Sequence, residues 1–256
     1  MMNCLTAKQL KISISGKTIC QQFDLQLNAG EVWGILGGNG AGKTTLLHTL
    51  AGFRAADQGE IRLFDQAIAQ LKPRTRAQQM GFLLQDDQAQ FPATVLETVL
   101  QGRHPHLGFW QWESPEDYLL AEQALLKVGL ADYAHRPIEQ LSGGERQRLK
   151  IATLLVQQPK VWLLDEPANH LDLHHQIELL SLLTAQIKVV QGCLLMSLHD
   201  LNLAQRFCDK LILLYPDQPP EQGCVADLLV EEKLSQLYQH PIRCLETDAG
   251  RVFIAG

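Results

Sequence analysis

The sequence has no apolar run near the roughly 18 residues that a membrane-spanning helix requires. Its start, Met-Met-Asn-Cys-Leu-Thr, lacks the charged and apolar regions of a signal peptide. A soluble protein resident in the cytosol is the expectation. Basic residues are in deficit, 22 Lys and Arg against 28 Asp and Glu, a formal net charge of −6. That balance argues against a broad phosphate-gripping face, so no nucleic-acid partner is expected. Aromatics make up only 6% of the chain, and the six cysteines contain no C-x-x-C pair. Zinc knuckles and thioredoxin-like motifs are therefore not indicated, and the thiols are expected to be reduced and mostly buried. Repeats and low-complexity segments are absent as well. What remains is a chain of 256 residues, 46% hydrophobic and 20% charged, enough for one sizeable core with a subdomain inserted.

The stretch Gly37-Gly38-Asn39-Gly40-Ala41-Gly42-Lys43-Thr44-Thr45 fits G-x-x-x-x-G-K-[ST]. It follows Val32 to Leu36, a short run of buried-strand type, and precedes Leu46, Leu47 and Leu50, which share a helical face that Gly52 can close. A Gly-rich turn capping a helix is the plainer alternative. With strand and helix in place, the stretch reads as a phosphate-binding loop. Its glycines let backbone N–H groups cradle phosphate oxygens, and the helix N-terminus adds partial positive charge. Lys43 is expected to reach the β- and γ-phosphates of a bound nucleotide, and Thr44 to ligate Mg²⁺, with Thr45 facing the core at the start of the helix.

Around this loop the periodicity divides the chain. Leu10, Ile12 and Ile14, then Phe23, Leu25 and Leu27, alternate with polar residues as antiparallel strands do, and strand signals recur at Gly59–Phe64 and Met80–Leu84. Helical signals follow at 95–100, 116–128 and 145–156. Strands return at Val161–Leu164, Cys193–Ser197 and Leu211–Leu214, around a helix with Ile177, Leu180, Leu183 and Ile187 on one face. Strand and helix alternation implies a parallel sheet. Pro216–Gly223 reads as a polar loop and the tail around Asp248-Ala249-Gly250 as a closing hairpin. The expected division is a nucleotide-binding α/β core at 1–85 and 159–256, with a helical subdomain at 86–158.

Two further motifs carry chemistry. Val161-Trp162-Leu163-Leu164-Asp165-Glu166-Pro167 is a buried strand ending in two carboxylates at the carboxyl edge of a parallel sheet, where ligands of such folds bind. Asp165 suits the Mg²⁺ shell, and Glu166 the polarisation of water attacking the γ-phosphate. A strand ending in a polar turn is the alternative. In Leu141-Ser142-Gly143-Gly144-Glu145, Ser142 and Glu145 have capping-box spacing. The same helix end offers a second phosphate dock through Ser142, Gly143 and Gly144. With one phosphate loop per chain, two copies meeting head to tail would share these docks.

These motifs resemble those of the ATP-binding cassette (ABC) ATPases, over essentially the whole chain. Gly37–Thr44 resembles their Walker A, Gln85 their Q-loop, Leu141–Glu145 their signature, Val161–Glu166 their Walker B, Asn169–Asp172 their D-loop and His199 their switch histidine. The resemblance implies a P-loop NTPase (RecA-like) core with an antiparallel β subdomain and an inserted α-helical subdomain. It implies ATP and Mg²⁺ as ligands, a homodimer with composite sites, and catalytic roles for Glu166, His199 and Gln85. Mg²⁺ would be held by Thr44, Gln85 and Asp165. The segment Phe91–Val95 with Gly102–Gly108 is similar to importer ATPases for siderophores, haem and cobalamin, and the ending Leu237 to Ile254 is similar to cobalamin-importer ATPases. That similarity implies integral membrane permease subunits, a separate substrate-binding protein and a place on the cytoplasmic face of the inner membrane. The alternative is a soluble ABC ATPase acting outside transport, for instance in iron–sulfur cluster assembly.

The chain departs from the family pattern in places. The aromatic that usually stacks on adenine should fall near Ile14 or Ser15, yet none precedes Phe23, leaving Ile14 for apolar contact. Gly38 stands where proline is common and Ala168 where threonine is. His170 and His174 have i, i+4 spacing, and His175 is adjacent, but no cysteine or carboxylate pattern completes a metal site. Of Phe109, Trp110 and Trp112, at least one is expected to pack inward.

Overall fold

The computed structural model describes residues 2–14, 16–84, 92–248 and 250–256. The chain begins with β1 (Asn3–Ile14), β2 (Lys17–Asn28), β3 (Val32–Leu36), α1 (Lys43–Leu50), β4 (Gln58–Leu63), β5 (Gln66–Ala67), α2 (Pro73–Gln79) and β6 (Met80–Leu83). There follow α3 (Val95–Leu100), α4 (Pro115–Lys127) and α5 (Gly143–Gln157), packed on one another. The last part runs β7 (Val161–Leu164), α6 (Leu173–Val190), β8 (Cys193–Ser197), α7 (Leu201–Phe207) and β9 (Lys210–Leu213). It closes with β10 (Glu221–Cys224), α8 (Val225–Leu228), α9 (Glu231–Tyr238) and the hairpin β11 (Ile242–Thr247) and β12 (Gly250–Ala255).

The order β10-β9-β3-β8-β7-β6 forms a sheet that is parallel except for β10, which pairs antiparallel to β9. A second sheet, β2-β1-β4-β5, is antiparallel throughout. The fold is thus mixed α/β, with a P-loop NTPase core, an antiparallel sheet and helical segments.

Alternation along the central strands explains why they read as unbroken apolar runs. Val161 and Leu163 of β7, with Cys193 and Leu195 of β8, join a core that contains α1 and the antiparallel sheet. Trp162 and Leu164, with Leu194 and Met196, face the opposite core, which α3, α4, α5 and α6 help to fill. Both faces are covered, so the positions along β7 and β8 are apolar up to Ser197 at the end of β8. Trp162, completely buried, satisfies its indole N–H on the Pro159 carbonyl at 2.8 Å.

Several local expectations are corrected. Residues 221–223 of the expected polar loop, with Cys224, form the edge strand β10; its backbone bonds to β9 while its side chains stay largely in solvent. Ile14 does not continue the buried alternation of Leu10 and Ile12: the β1–β2 register shifts between Ile12 and Ser13, and Ile14 pairs with Lys17 at the end of the strand, 44% exposed. Phe109, Trp110 and Trp112 are all outside, at 90%, 89% and 86% exposure. A short loop explains this: Gly108 N–H bonds the Gln111 side chain at 3.0 Å, and nothing covers the aromatics among the described residues. Four of the six cysteines are buried, and all six are free.

Candidate functional site

The loop between β3 and α1 fits against the neighbouring strand. Leu214 N–H bonds the Leu36 carbonyl at 2.9 Å, and a Cβ on Gly37 would stand only 2.7 Å from the Leu214 carbonyl oxygen. At the other end Gly42 has φ 105°, and its Cβ would meet Ile19 at 2.7 Å. Both positions require glycine, one for space and one for space and backbone sign. Gly42 is also the N-cap of α1 and supplies no capping side chain. The helix N-terminus is therefore left to an external acceptor.

Lys43 opens α1 buried, donating from Nζ to the carbonyls of Gly37 at 2.8 Å and Gly38 at 3.3 Å. Burial lowers its pKa, and the charges of Glu166 and Asp165 oppose that shift. One cation thus faces two acids across the loop. Thr44 and Thr45 are half-buried on the first turn, so Thr45 only partly meets its expected place in the core.

Asp165 leaves the end of β7 at 1% exposure, with its N–H on the Leu83 carbonyl at 3.1 Å. Its Oδ1 accepts the Ser197 hydroxyl at 2.6 Å. Oδ2 is buried and has no hydrogen-bond partner among the described residues. A buried carboxylate oxygen without a donor suits a hard, oxygen-seeking cation, and so fits Mg²⁺. Glu166 has φ 50°. Its N–H donates to Ser197 Oγ at 2.8 Å, and its carbonyl accepts from Gln147 Nε2 at 3.3 Å. One carboxylate oxygen pairs with His199 Nε2 and the other with Asn169 Nδ2.

His199 reaches this point from the loop after β8, where Leu198 N–H bonds the Ile35 carbonyl at 3.1 Å. The following Asp200 caps α7 through the N–H groups of Asn202 and Leu203 at 2.7 and 3.0 Å. Asn202 in turn exchanges two bonds with the backbone of Phe253 in β12. The terminal hairpin thereby braces the helix that follows the histidine.

The phosphate loop, Asp165, Glu166 and His199 thus come together at one sheet edge. Ser142, Gly143 and Gly144 do not join them: no hydrogen bond among the described residues links them to the loop. Ser142 and Gly143 are exposed, and the glycines border His170 and Leu171. The expected capping box is present, with Glu145 N–H on Ser142 Oγ at 3.2 Å and Ser142 N–H on Glu145 at 2.7 Å. The Ser142 N–H holds the Glu145 carboxyl below its ordinary pKa. Gln85 and Phe91 lie outside the described residues. His174 meets Glu178 and His175 meets Asp172, and the described residues contain no group of three or more metal-ligating side chains.

Sequence reasoning passed over Gln147 and Ser197. Gln147 is buried and ties α5 to the turn after β7, bonding the Pro167 carbonyl at 2.9 Å as well as that of Glu166. Ser197 had a signal: it is the one polar residue in β8, two positions before His199.

The family model for ABC transporter matches residues 20–169. The chain belongs to the ABC transporter family. As the family's ATP-binding domain it is an ATPase whose activity is coupled to transport. It is 38% identical to the petrobactin import ATP-binding protein FpuD of Bacillus anthracis, over 91% of this chain and 85% of that one. To the hemin import ATP-binding protein HmuV of Escherichia coli O157:H7 it is 36% identical, over 96% of each. Among solved structures it matches a transporter described as of the metal-chelate type, in an inward-facing conformation. That match has a TM-score of 0.86 and 29% identity, over 99% of this chain and 98% of the other. No helix of this ABC domain, among the described residues, is long and apolar enough to cross a membrane.

Proposed function

We propose that this chain is the ATP-hydrolysing subunit of an importer for an iron chelate or haem, bound peripherally to membrane permease subunits at the cytoplasmic face. The observation that carries it is near full-length similarity to import ATP-binding proteins for petrobactin and hemin, together with an acid pair, lysine and histidine at one sheet edge. Cobalamin, the third cargo the sequence suggested, is named by neither relative. Removing the gene from its host and measuring uptake of labelled ferric siderophores, haem and cobalamin tests the reading. Loss of iron-chelate or haem uptake is expected, and loss of cobalamin uptake alone would contradict it.

Each group has a role in this account. The loop N–H groups and Lys43 bind the triphosphate, and Glu166 orients and polarises the attacking water. His199, held against Glu166, is placed to contact the γ-phosphate. Asp165 through Oδ2, with Thr44 and Gln85, would hold Mg²⁺, which when bound neutralises phosphate charge. Since Ser142 and Gly143 face outward, a second copy would use this helix end, Ser142 to Gly144, to close each site, giving a homodimer with two composite sites. The division into a core at 1–85 and 159–256 and a helical subdomain at 86–158 lets ATP closure move the latter through Gln85. The exposed aromatics Phe109, Trp110 and Trp112 are the anchors assigned to the permease. A separate substrate-binding protein would deliver the cargo.

A further inference from the structure

We infer that Ser197 is a positioning residue for ATP hydrolysis, its hydroxyl joining the carboxylate of Asp165 and the peptide of Glu166 into one fixed unit. The inference rests on the roles given above to those two acids. Strands β7 and β8 run parallel with Leu164 beside Met196, so Asp165 and Ser197 follow side by side at the ends of adjacent strands. Alternation turns both toward the face that carries α1 and the phosphate loop. On its other side β8 pairs with β3, Ser197 lying beside Ile35 near the end of the strand that feeds the phosphate loop.

The proton count fixes the direction of the bonds. A serine hydroxyl has one proton and two lone pairs. The Glu166 N–H can only donate, so at 2.8 Å the serine oxygen accepts. Its proton is then committed to Asp165 Oδ1 at 2.6 Å. That leaves Oδ2, buried and without a donor among the described residues, as the oxygen turned to a cation. Ser197 thereby selects which oxygen of Asp165 serves the metal. The same hydroxyl holds the Glu166 peptide in its left-handed conformation, φ 50°, from which the side chain reaches His199 and Asn169. Ser197 is completely buried, so water cannot replace it from bulk. An apolar residue there would strand a buried N–H and a buried carboxylate oxygen.

The test uses Ser197→Ala and Ser197→Thr in the full chain. In Ser197→Ala, kcat should fall about 10–100-fold, the range seen when partners that orient metal ligands are removed. Mn²⁺ affinity in the presence of a non-hydrolysable ATP analogue, read from the resonance of free Mn²⁺, should weaken in the same range. Nucleotide affinity in EDTA should not move. Ser197→Thr restores the hydroxyl and should recover both kcat and Mn²⁺ affinity. If the alanine protein fails to fold, Ser197→Cys, similar in size but a weak hydrogen-bonding group, carries the same readings. Wild-type kcat and Mn²⁺ affinity without the hydroxyl would overturn the inference. So would equal losses in the alanine and threonine proteins, which would make Ser197 a packing residue. A Glu166→Gln protein with full turnover would instead overturn the roles on which the inference rests.

Discussion

Glu166 is held by its N–H, its carbonyl and both carboxylate oxygens, to four partners from three different segments of the chain. A side chain so placed is suited to a water that must be aligned with a γ-phosphate. Glu166→Gln keeps the shape and loses the base, so it should bind ATP, lose nearly all turnover and accumulate an ATP-bound dimer in gel filtration. Lys43→Ala should weaken nucleotide binding itself, as equilibrium titration would show, because it deletes the buried cation of the loop. No aromatic residue precedes Phe23 in the sequence, and Ile14, 44% exposed, could offer a base only apolar contact. ATP and GTP should therefore compete on nearly equal terms, and a strong preference for ATP in competition titrations would reveal another base-reading residue. At this scale the sequence disclosed groups whose chemistry is local. Gly37, Gly42, Lys43, Asp165 and Glu166 are recognisable because spacing alone defines their motif. Gln147 and Ser197 act across strands and helices, on partners 19 to 32 positions away by number, and no local spacing encodes that.

Glu31 joins three elements through one carboxylate. It accepts from the Asn28 N–H at the end of β2, from Trp33 in β3 at 2.9 Å and from Lys210 in β9 at 2.7 Å. Burial alone would raise its pKa, but Lys210, Trp33 and Asn28 together bring it down to about 2. A depressed carboxylate stabilises the fold above its unfolded pKa, and the contribution fades as pH falls through the folded one. Glu31→Gln should cost about 2 kcal/mol at pH 7, after allowance for a partly exposed lysine. In urea unfolding the gap to wild type should narrow below pH 4.5 and close near pH 2, whereas a gap independent of pH would refute the assignment. The central strands and the helices α3, α4 and α5 were legible because their apolar residues are buried with a clear period. The helix α2 was not, since it buries no residue at all, and β10 was not, because a polar edge strand announces itself only through its backbone ladder.

In the whole molecule the exposed aromatic loop and the outward signature helix end are two surfaces that one chain leaves uncovered. Charged substitutions at Phe109, Trp110 and Trp112 should leave basal ATPase activity intact and uncouple it from transport in reconstituted vesicles; normal transport would make the loop irrelevant to docking. The composite site is the central claim, and mixing two inactive proteins tests it. Lys43→Ala removes a loop cation, and Ser142→Arg blocks the helix end offered to the other copy. Each alone should hydrolyse almost no ATP. When the two are mixed, half the dimers combine one of each, and every such dimer has one intact site and one doubly damaged site. Hydrolysis should then recover to about a quarter of the wild-type rate if sites act independently, whereas a mixture as inactive as its components would show that Lys43 and Ser142 do not complete each other's sites between copies.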